Sequence, residues 1–146
     1  MDAIALLEAD HRKVEKLLNK LDETTERAVK TREDLFSTLR SELVAHEMVE
    51  EEIFYPALKE HPRARDIVLE GYEEHHVVDE ILAELAAVSF DDETWSAKFS
   101  VMKENLEHHI EEEEGDMFKK ARQVLDKGEL ATLGEAMSER KREAGR

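Results

Sequence analysis

The chain has 146 residues, of which 37 are acidic and 21 basic, giving a formal net charge of −16. This acidity argues against binding to nucleic acid or to an anionic membrane surface, because both depend on Lys and Arg. With five Gly, two Pro and no Cys, the chain has no disulfide framework or Cys-based metal site, and many short strands are disfavoured. We expect one all-α domain over residues 1–146, soluble and cytoplasmic, without a signal peptide or membrane span.

The first half of the chain predicts two long helices, because apolar residues recur there at helical spacing. The first helix runs from about Asp2 into the mid-twenties. The second begins near residues 31–32 and ends at His61, before a proline. Pro56 is expected to bend its last turns, since a proline inside a helix donates no backbone hydrogen bond.

The second half predicts two further long helices and a short one. The third helix begins at Pro62 and ends before the turn segment 89–92. The fourth is expected to close at Lys127-Gly128. A short fifth helix should cover about 129–142, with a frayed polar tail from Glu139. Long helices with short connections are typical of an up-down-up-down four-helix bundle, here over about 2–127.

Each of the four long helices carries one histidine on its apolar, core-facing stripe. The second and fourth helices each add a glutamate four residues after the histidine, which places both side chains on one helix face. The six residues are His11, His46, Glu50, His75, His109 and Glu113.

The pattern also repeats along the chain. The segment around His11 parallels that around His75, and the pair His46–Glu50 parallels His109–Glu113. Two similar hairpins would bring the six groups together at one level of the bundle. Buried carboxylates need a proton, a charge partner or a metal, and bundle cores with Glu and His are established di-iron and di-manganese sites. Singly, each of these residues has an ordinary core or surface interpretation, but their coincidence on four helices predicts a site for two metal ions.

In this order and spacing, the segments resemble the hemerythrin-like, or HHE cation-binding, family. The resemblance covers Leu6 to about Gln123 and rests on Asp10-His11, residues 46–56, Glu74-His75-His76 and residues 108–113. It implies a four-helix bundle that holds two non-haem iron ions with an oxo or hydroxo bridge. Carried over, the resemblance assigns His11 and His46 to one iron, His75 and His109 to the other, and Glu50 and Glu113 to both.

The chain departs from the oxygen-carrying hemerythrins at two places. Gly71 stands where they have a fifth histidine, one turn before the residue that matches His75. Their second bridging carboxylate lies five residues after the fourth-helix histidine, which makes Glu114 an alternative to Glu113. Some relatives use a glutamate directly after the second-helix histidine, so that Glu47 is a candidate seventh ligand.

Gly71 allows two interpretations: close helix packing, or an open coordination position beside the metal. Tyr55 and Tyr72 lie within a turn or two of the expected ligands and are expected to line this pocket. The loss of an imidazole argues against reversible oxygen carriage and for a centre that reacts with peroxide, NO or O2, in a catalase- or peroxidase-like manner. The alternatives are a non-catalytic module that senses iron, O2 or NO or stores iron, and a structural bundle without stoichiometric metal. We expect a monomer or weak dimer, and the lack of a sensor's output domain favours the reactive centre.

Overall fold

The computed structural model describes residues 1–145 and is helical throughout, with no strand in this range. The α-helices in chain order are α1 (Ala3–Asp22), α2 (Val29–Val49), α3 (Tyr55–Lys59), α4 (Pro62–Ala87), α5 (Glu93–Glu112), α6 (Phe118–Val124) and α7 (Lys127–Ala144). Two π-helical segments, π1 (Glu50–Phe54) and π2 (Glu113–Met117), join α2 to α3 and α5 to α6. The predicted all-α helical bundle is confirmed, whereas the up-down-up-down alternation stays a prediction. None of the helices described is both long enough and apolar enough to cross a bilayer.

The helices pack as two consecutive pairs with one additional helix. Helix α1 packs against α2, α4 packs against α5, and α7 lies across α1 and α2. The buried apolar side chains form two clusters, one with Leu7, Phe54 and Phe118 and the other with Leu18 and Trp95. Burial of a large apolar side chain stabilises a fold by about 1.5–3 kcal/mol. The two apolar clusters therefore stabilise the fold. Polar residues, described below, lie between them.

The C-terminal helix differs from the prediction at both ends. The fourth long helix ends at Val124, and Lys127 begins α7 instead of closing the helix before it. A capping box makes Lys127 the start of α7. In it, the Asp126 side chain accepts a hydrogen bond from the Glu129 backbone amide, and the Glu129 side chain accepts one from the Asp126 backbone amide. Gly128 thus lies in a first helical turn. The helix continues to Ala144, so the expected frayed tail is helical up to that residue.

The π-helical segments were not predicted. In π1 the Tyr55 amide donates to the Glu50 carbonyl, and in π2 the Phe118 amide donates to the Glu113 carbonyl. Pro56, where the sequence predicts a bend, is the second residue after π1, but π2 has no proline nearby. Both segments instead begin at a buried glutamate of the predicted site. Single π-turns inside α-helices occur frequently at functional sites.

Candidate metal centre

The structure brings all six predicted residues together between the two apolar clusters. Helices α1, α2, α4 and α5 each supply a histidine, while π1 and π2 each supply a glutamate at their first position. Every one of the six is at most 4 % exposed. The six inner residues, as we call them below, are His11, His46, Glu50, His75, His109 and Glu113.

Glu50 lies between histidines of two different helices. Its Oε1 atom is 3.1 Å from Nε2 of His46 and 3.1 Å from Nε2 of His75. The other oxygen, Oε2, is buried and has no hydrogen-bond partner among residues 1–145. One carboxylate is therefore shared by two imidazoles and retains a free oxygen.

Glu113 has the corresponding position between the other two histidines. Its Oε1 atom is 3.0 Å from His11 Nε2 and 3.8 Å from His46 Nε2, and its Oε2 atom is 3.1 Å from His109 Nε2. Each glutamate thus contacts at least one ring from each of the two pairs that the resemblance assigns to a metal. A carboxylate in this position could be shared by two metal ions.

The inner atoms of the site are incompletely paired. Nε2 of His46 and Nε2 of His109 each lie 3.1 Å from a carboxylate oxygen, but the direction is not that of a hydrogen bond, and both count as unpaired in the described chain. A buried polar atom without a partner costs about 1–3 kcal/mol. Metal ions would take up these nitrogen and oxygen lone pairs, so the residues fit a pair of cations. Two subsets have ligand atoms that all lie within 4.8 Å of one another: His11, His46 and Glu113, and Glu50, His75 and His109.

A carboxylate also lies on the outer nitrogen of every ring. The Nδ1 contacts are His46 with Asp10 at 3.0 Å, His75 with Glu51 at 2.8 Å, His109 with Glu74 at 2.7 Å and His11 with Glu114 at 2.6 Å. Because a carboxylate accepts, each Nδ1–H donates, and in the neutral ring Nε2 then has its lone pair directed inward. Carboxylate–histidine pairs of this kind orient metal ligands and raise their basicity.

These four outer carboxylates, as we call them, are chain neighbours of the inner residues. Asp10 precedes His11, Glu51 follows Glu50, Glu74 precedes His75, and Glu114 follows Glu113. Each supports the histidine of the next helix around the bundle, in the order α1, α2, α4, α5 and back to α1. Asp10, Glu51 and Glu74 were not predicted as site residues from the sequence, although their adjacency to predicted ligands was a usable signal.

Glu114 and Glu47 both lie outside the inner group. Glu114 bonds the outer face of His11 and pairs with Arg12, so the geometry favours Glu113 as the shared carboxylate. Glu47 is 8 % exposed and contacts Asp79. Burial, together with the neighbouring carboxylate of Asp79, raises the pKa of Glu47 to about 9. Such an acid pair is relieved by a proton or by a cation.

Tyr55 fills the space beside Gly71. Its hydroxyl donates to Glu113 Oε2 at 2.7 Å and lies 3.4 Å from His75 Nε2. A Cβ atom on Gly71 would lie 2.9 Å from this hydroxyl oxygen, which supports the close-packing interpretation of the glycine. Burial, followed by the charge of Glu113, raises the pKa of Tyr55 well above its usual range. Tyr72 packs edge-on against Tyr55, and its hydroxyl donates to the Glu51 carbonyl at 3.4 Å.

Without cations, the inner charges are balanced by protons. Burial is the largest single influence on His109 and lowers its pKa, but the charge and hydrogen bond of Glu113, together with Glu74 and Glu50, outweigh it and raise that pKa well above its ordinary value. Burial alone would raise the pKa of Glu113, yet His109 and its other neighbours hold it well below the usual range. The site is therefore a network of imidazolium and carboxylate groups when protons occupy it, and cations would compete with those protons.

Comparison with known proteins agrees with this geometry. Residues 2–121 match the family described as hemerythrin HHE cation binding domain. The chain is also similar to a solved crystal structure, that of a hemerythrin HHE cation binding domain-containing protein from Mycobacterium kansasii, a homologue of Rv2633c. The two chains are 28 % identical, with a TM-score of 0.86 over 98 % of this chain and 86 % of the other. No curated protein matches the chain. The family match covers the segments that supply all six inner residues, and the chain belongs to the hemerythrin HHE cation-binding domain family.

Proposed function

We propose that the chain holds two iron ions, with His11 and His46 on one and His75 and His109 on the other. Glu50 and Glu113 would bridge them. The observation that carries this proposal is the position of each glutamate between rings of both pairs, next to buried nitrogen atoms that have no partner. The two ring pairs support the same grouping, with centroid separations of 4.9 Å and 5.2 Å.

The donor set favours iron among the common metals. Imidazole nitrogens suit iron, zinc and copper, whereas carboxylates suit harder cations, and a mixed set is typical of non-haem iron. The outer carboxylates make the imidazoles more basic, which strengthens binding of the higher oxidation state. The name of the Mycobacterium kansasii protein gives cation binding as a property of that protein, and the same property is proposed for this chain.

We further propose that the centre reacts with small oxidants or gases, namely peroxide, NO or O2. Bound iron would supply the redox chemistry, which none of these side chains provides alone. The protein would supply position and protons. Tyr55 holds a hydroxyl proton at the edge of the centre, between Glu113 and His75. The apolar cluster around Phe54 and Phe118 excludes bulk water from the same side.

The reaction is tested by adding hydrogen peroxide to the iron-loaded chain and measuring oxygen evolution. We expect turnover that scales with bound iron and exceeds that of free iron at the same concentration. The metal-free chain and a Glu50→Ala variant, which lacks one shared carboxylate, should show none above background. Turnover no faster than that of free iron would contradict a peroxide-decomposing function.

A non-catalytic sensing or storage role is the second candidate. It is favoured by the contact of Lys141 in α7 with Asp10, the outer carboxylate of His46, at 2.6 Å. Through this contact, the loss of a metal on His46 would weaken the attachment of the C-terminal helix. Hydrogen exchange of α7 in the metal-loaded and metal-free chains distinguishes this candidate, because sensing predicts faster exchange in α7 after metal removal.

A further inference from the structure

The outer carboxylates differ in their charge partners. Asp10 and Glu114, which support His46 and His11, are each bonded to a basic side chain, Lys141 and Arg12 respectively. Glu51 and Glu74 support His75 and His109, and neither has a Lys or Arg partner in the described part of the chain. Negative charge is therefore compensated on the α1 side of the centre and left uncompensated on the α4 side.

Two further carboxylates lie beside Glu51. Glu47 extends from α2 and contacts Asp79 of α4, and the ligand atoms of Glu47, Glu51 and His75 all lie within 4.8 Å of one another. Glu47 is more than nine-tenths buried, and within residues 1–145 no N–H group donates to its carboxyl. It bonds the carboxyl of Asp79, a pairing that requires a shared proton, and a buried carboxylate beside a second carboxylate is costly. A cation would remove that cost.

This acidic group lies in a cleft that reaches the centre. A cavity of about 390 Å³ is lined by Glu51, Asp79 and His75, and a second of about 400 Å³ is lined by Glu47, Glu51 and Asp79. The two cavities share Glu51 and Asp79 as lining residues and are therefore neighbours between α2 and α4; we call them together the cleft. Arg40 also lines the second cavity. His75 lies at the inner end of the cleft, where Glu51 bonds its Nδ1 atom.

We propose that divalent metal ions reach the centre through this cleft and bind first at an entry site formed by Glu47, Glu51 and Asp79. The inference rests on the proposed metal-binding function. Carboxylate oxygens are suitable ligands for divalent cations such as Mn²⁺ and Fe²⁺. Carboxylates outnumber the single arginine, Arg40, in the lining of the second cavity, and an excess of negative charge in a cleft raises the local concentration of cations. An ion on Glu51 is already next to the His75 ring.

A second acidic group lies around Glu74, which also supports a histidine ring but has no buried carboxyl beside it. Glu74 and Glu112 approach His108, but the side chain of His108 is 67 % exposed. None of these three residues is buried, and none lines the cleft. The entry site is therefore assigned to the α2–α4 side of His75.

The test compares the rate of metal loading with the final amount of metal bound. Co²⁺ is added to the metal-free chain, and loading is followed by stopped-flow absorbance, then by metal analysis. The variant is Glu47→Gln combined with Asp79→Asn. The matched control, Asp66→Asn combined with Glu104→Gln, removes the same charge from exposed positions outside the cleft. Circular dichroism checks that both variants fold, and Asp79→Asn alone serves as a second, exposed variant.

We expect the entry-site variant to load about tenfold more slowly, with the final metal content unchanged at two ions per chain. The control should load at close to the wild-type rate. Wild-type loading kinetics in the entry-site variant would overturn the entry route while leaving the metal centre intact. A lower final metal content in that variant would also overturn it, because Glu47 or Asp79 would then be a permanent ligand. A wild-type chain that binds no Co²⁺ would overturn the proposed metal centre and the entry route together.

Discussion

The hydroxyl oxygen of Tyr55 lies 2.9 Å from the position that a Cβ atom on Gly71 would occupy. Any side chain at position 71 and the hydroxyl of Tyr55 therefore exclude each other. Where oxygen-carrying relatives have a histidine at this slot, this chain places a phenol that donates to Glu113 at 2.7 Å. At the position where the sequence departs from those relatives, the structure thus has a proton-bearing oxygen at the edge of the six inner residues.

Tyr55→Phe should weaken metal binding without unfolding the chain. The substitution removes the hydrogen bond that positions Glu113, and losses of this kind typically cost about 10–100-fold in metal affinity. Competition with a chromophoric chelator measures the change. Tyr72→Phe is the matched control, since its hydroxyl contacts only a backbone carbonyl, at 3.4 Å. Equal affinities for the two variants would contradict the role given to Tyr55.

Lys141→Met should also lower the metal affinity of the centre, because Lys141 acts on it through Asp10 and His46. Lys141 is the cation that pairs with the buried Asp10, and Asp10 in turn orients His46. Without the lysine, we expect a loss of about 1–3 kcal/mol in the free energy of unfolding and lower metal affinity. Arg140→Met is the control, because Arg140 pairs with the exposed Glu52, and such pairs contribute about 0–1 kcal/mol. Chemical denaturation and chelator competition check both quantities; indistinguishable variants would argue against the coupling.

Gly134→Ala should loosen the attachment of α7. A Cβ atom at this position would clash with the Met1 carbonyl oxygen and lie 2.8 Å from the Ala3 amide nitrogen, so the helix and the N-terminus must separate. We expect a loss of about 1–3 kcal/mol in the free energy of unfolding, as for other overpacked sites. At Gly115 an added Cβ meets no atom within 4 Å, so Gly115→Ala should not destabilise the chain. Urea denaturation of both variants is the measurement, and a neutral Gly134→Ala would contradict the close contact.

The helices and the inner residues were predictable from the sequence because both follow one periodicity. A histidine such as His46 on an apolar stripe and a glutamate four residues later need only the helical repeat to lie on one face. The π-turn at Glu50 left no comparable signal, since the spacing from His46 fits an ordinary α-helix.

Two other features were present in the sequence but ambiguous. The start of α7 is encoded by the capping pair Asp126 and Glu129, whereas Gly128 suggests a helix end, and the cap determines the structure. The outer carboxylates are hidden in acidic runs, where Glu51 looks like any solvated neighbour. Only the three-dimensional arrangement shows that it bonds the histidine of another helix.

The most direct measurement of the central claim is metal analysis of the iron-reconstituted chain, wild type beside Glu50→Ala. The account predicts about two irons per wild-type chain, because six buried ligands form two sets, and a sharp fall in the variant, which lacks a shared carboxylate. A wild-type chain that retains no stoichiometric iron, or a variant that retains both ions, would contradict the proposed centre.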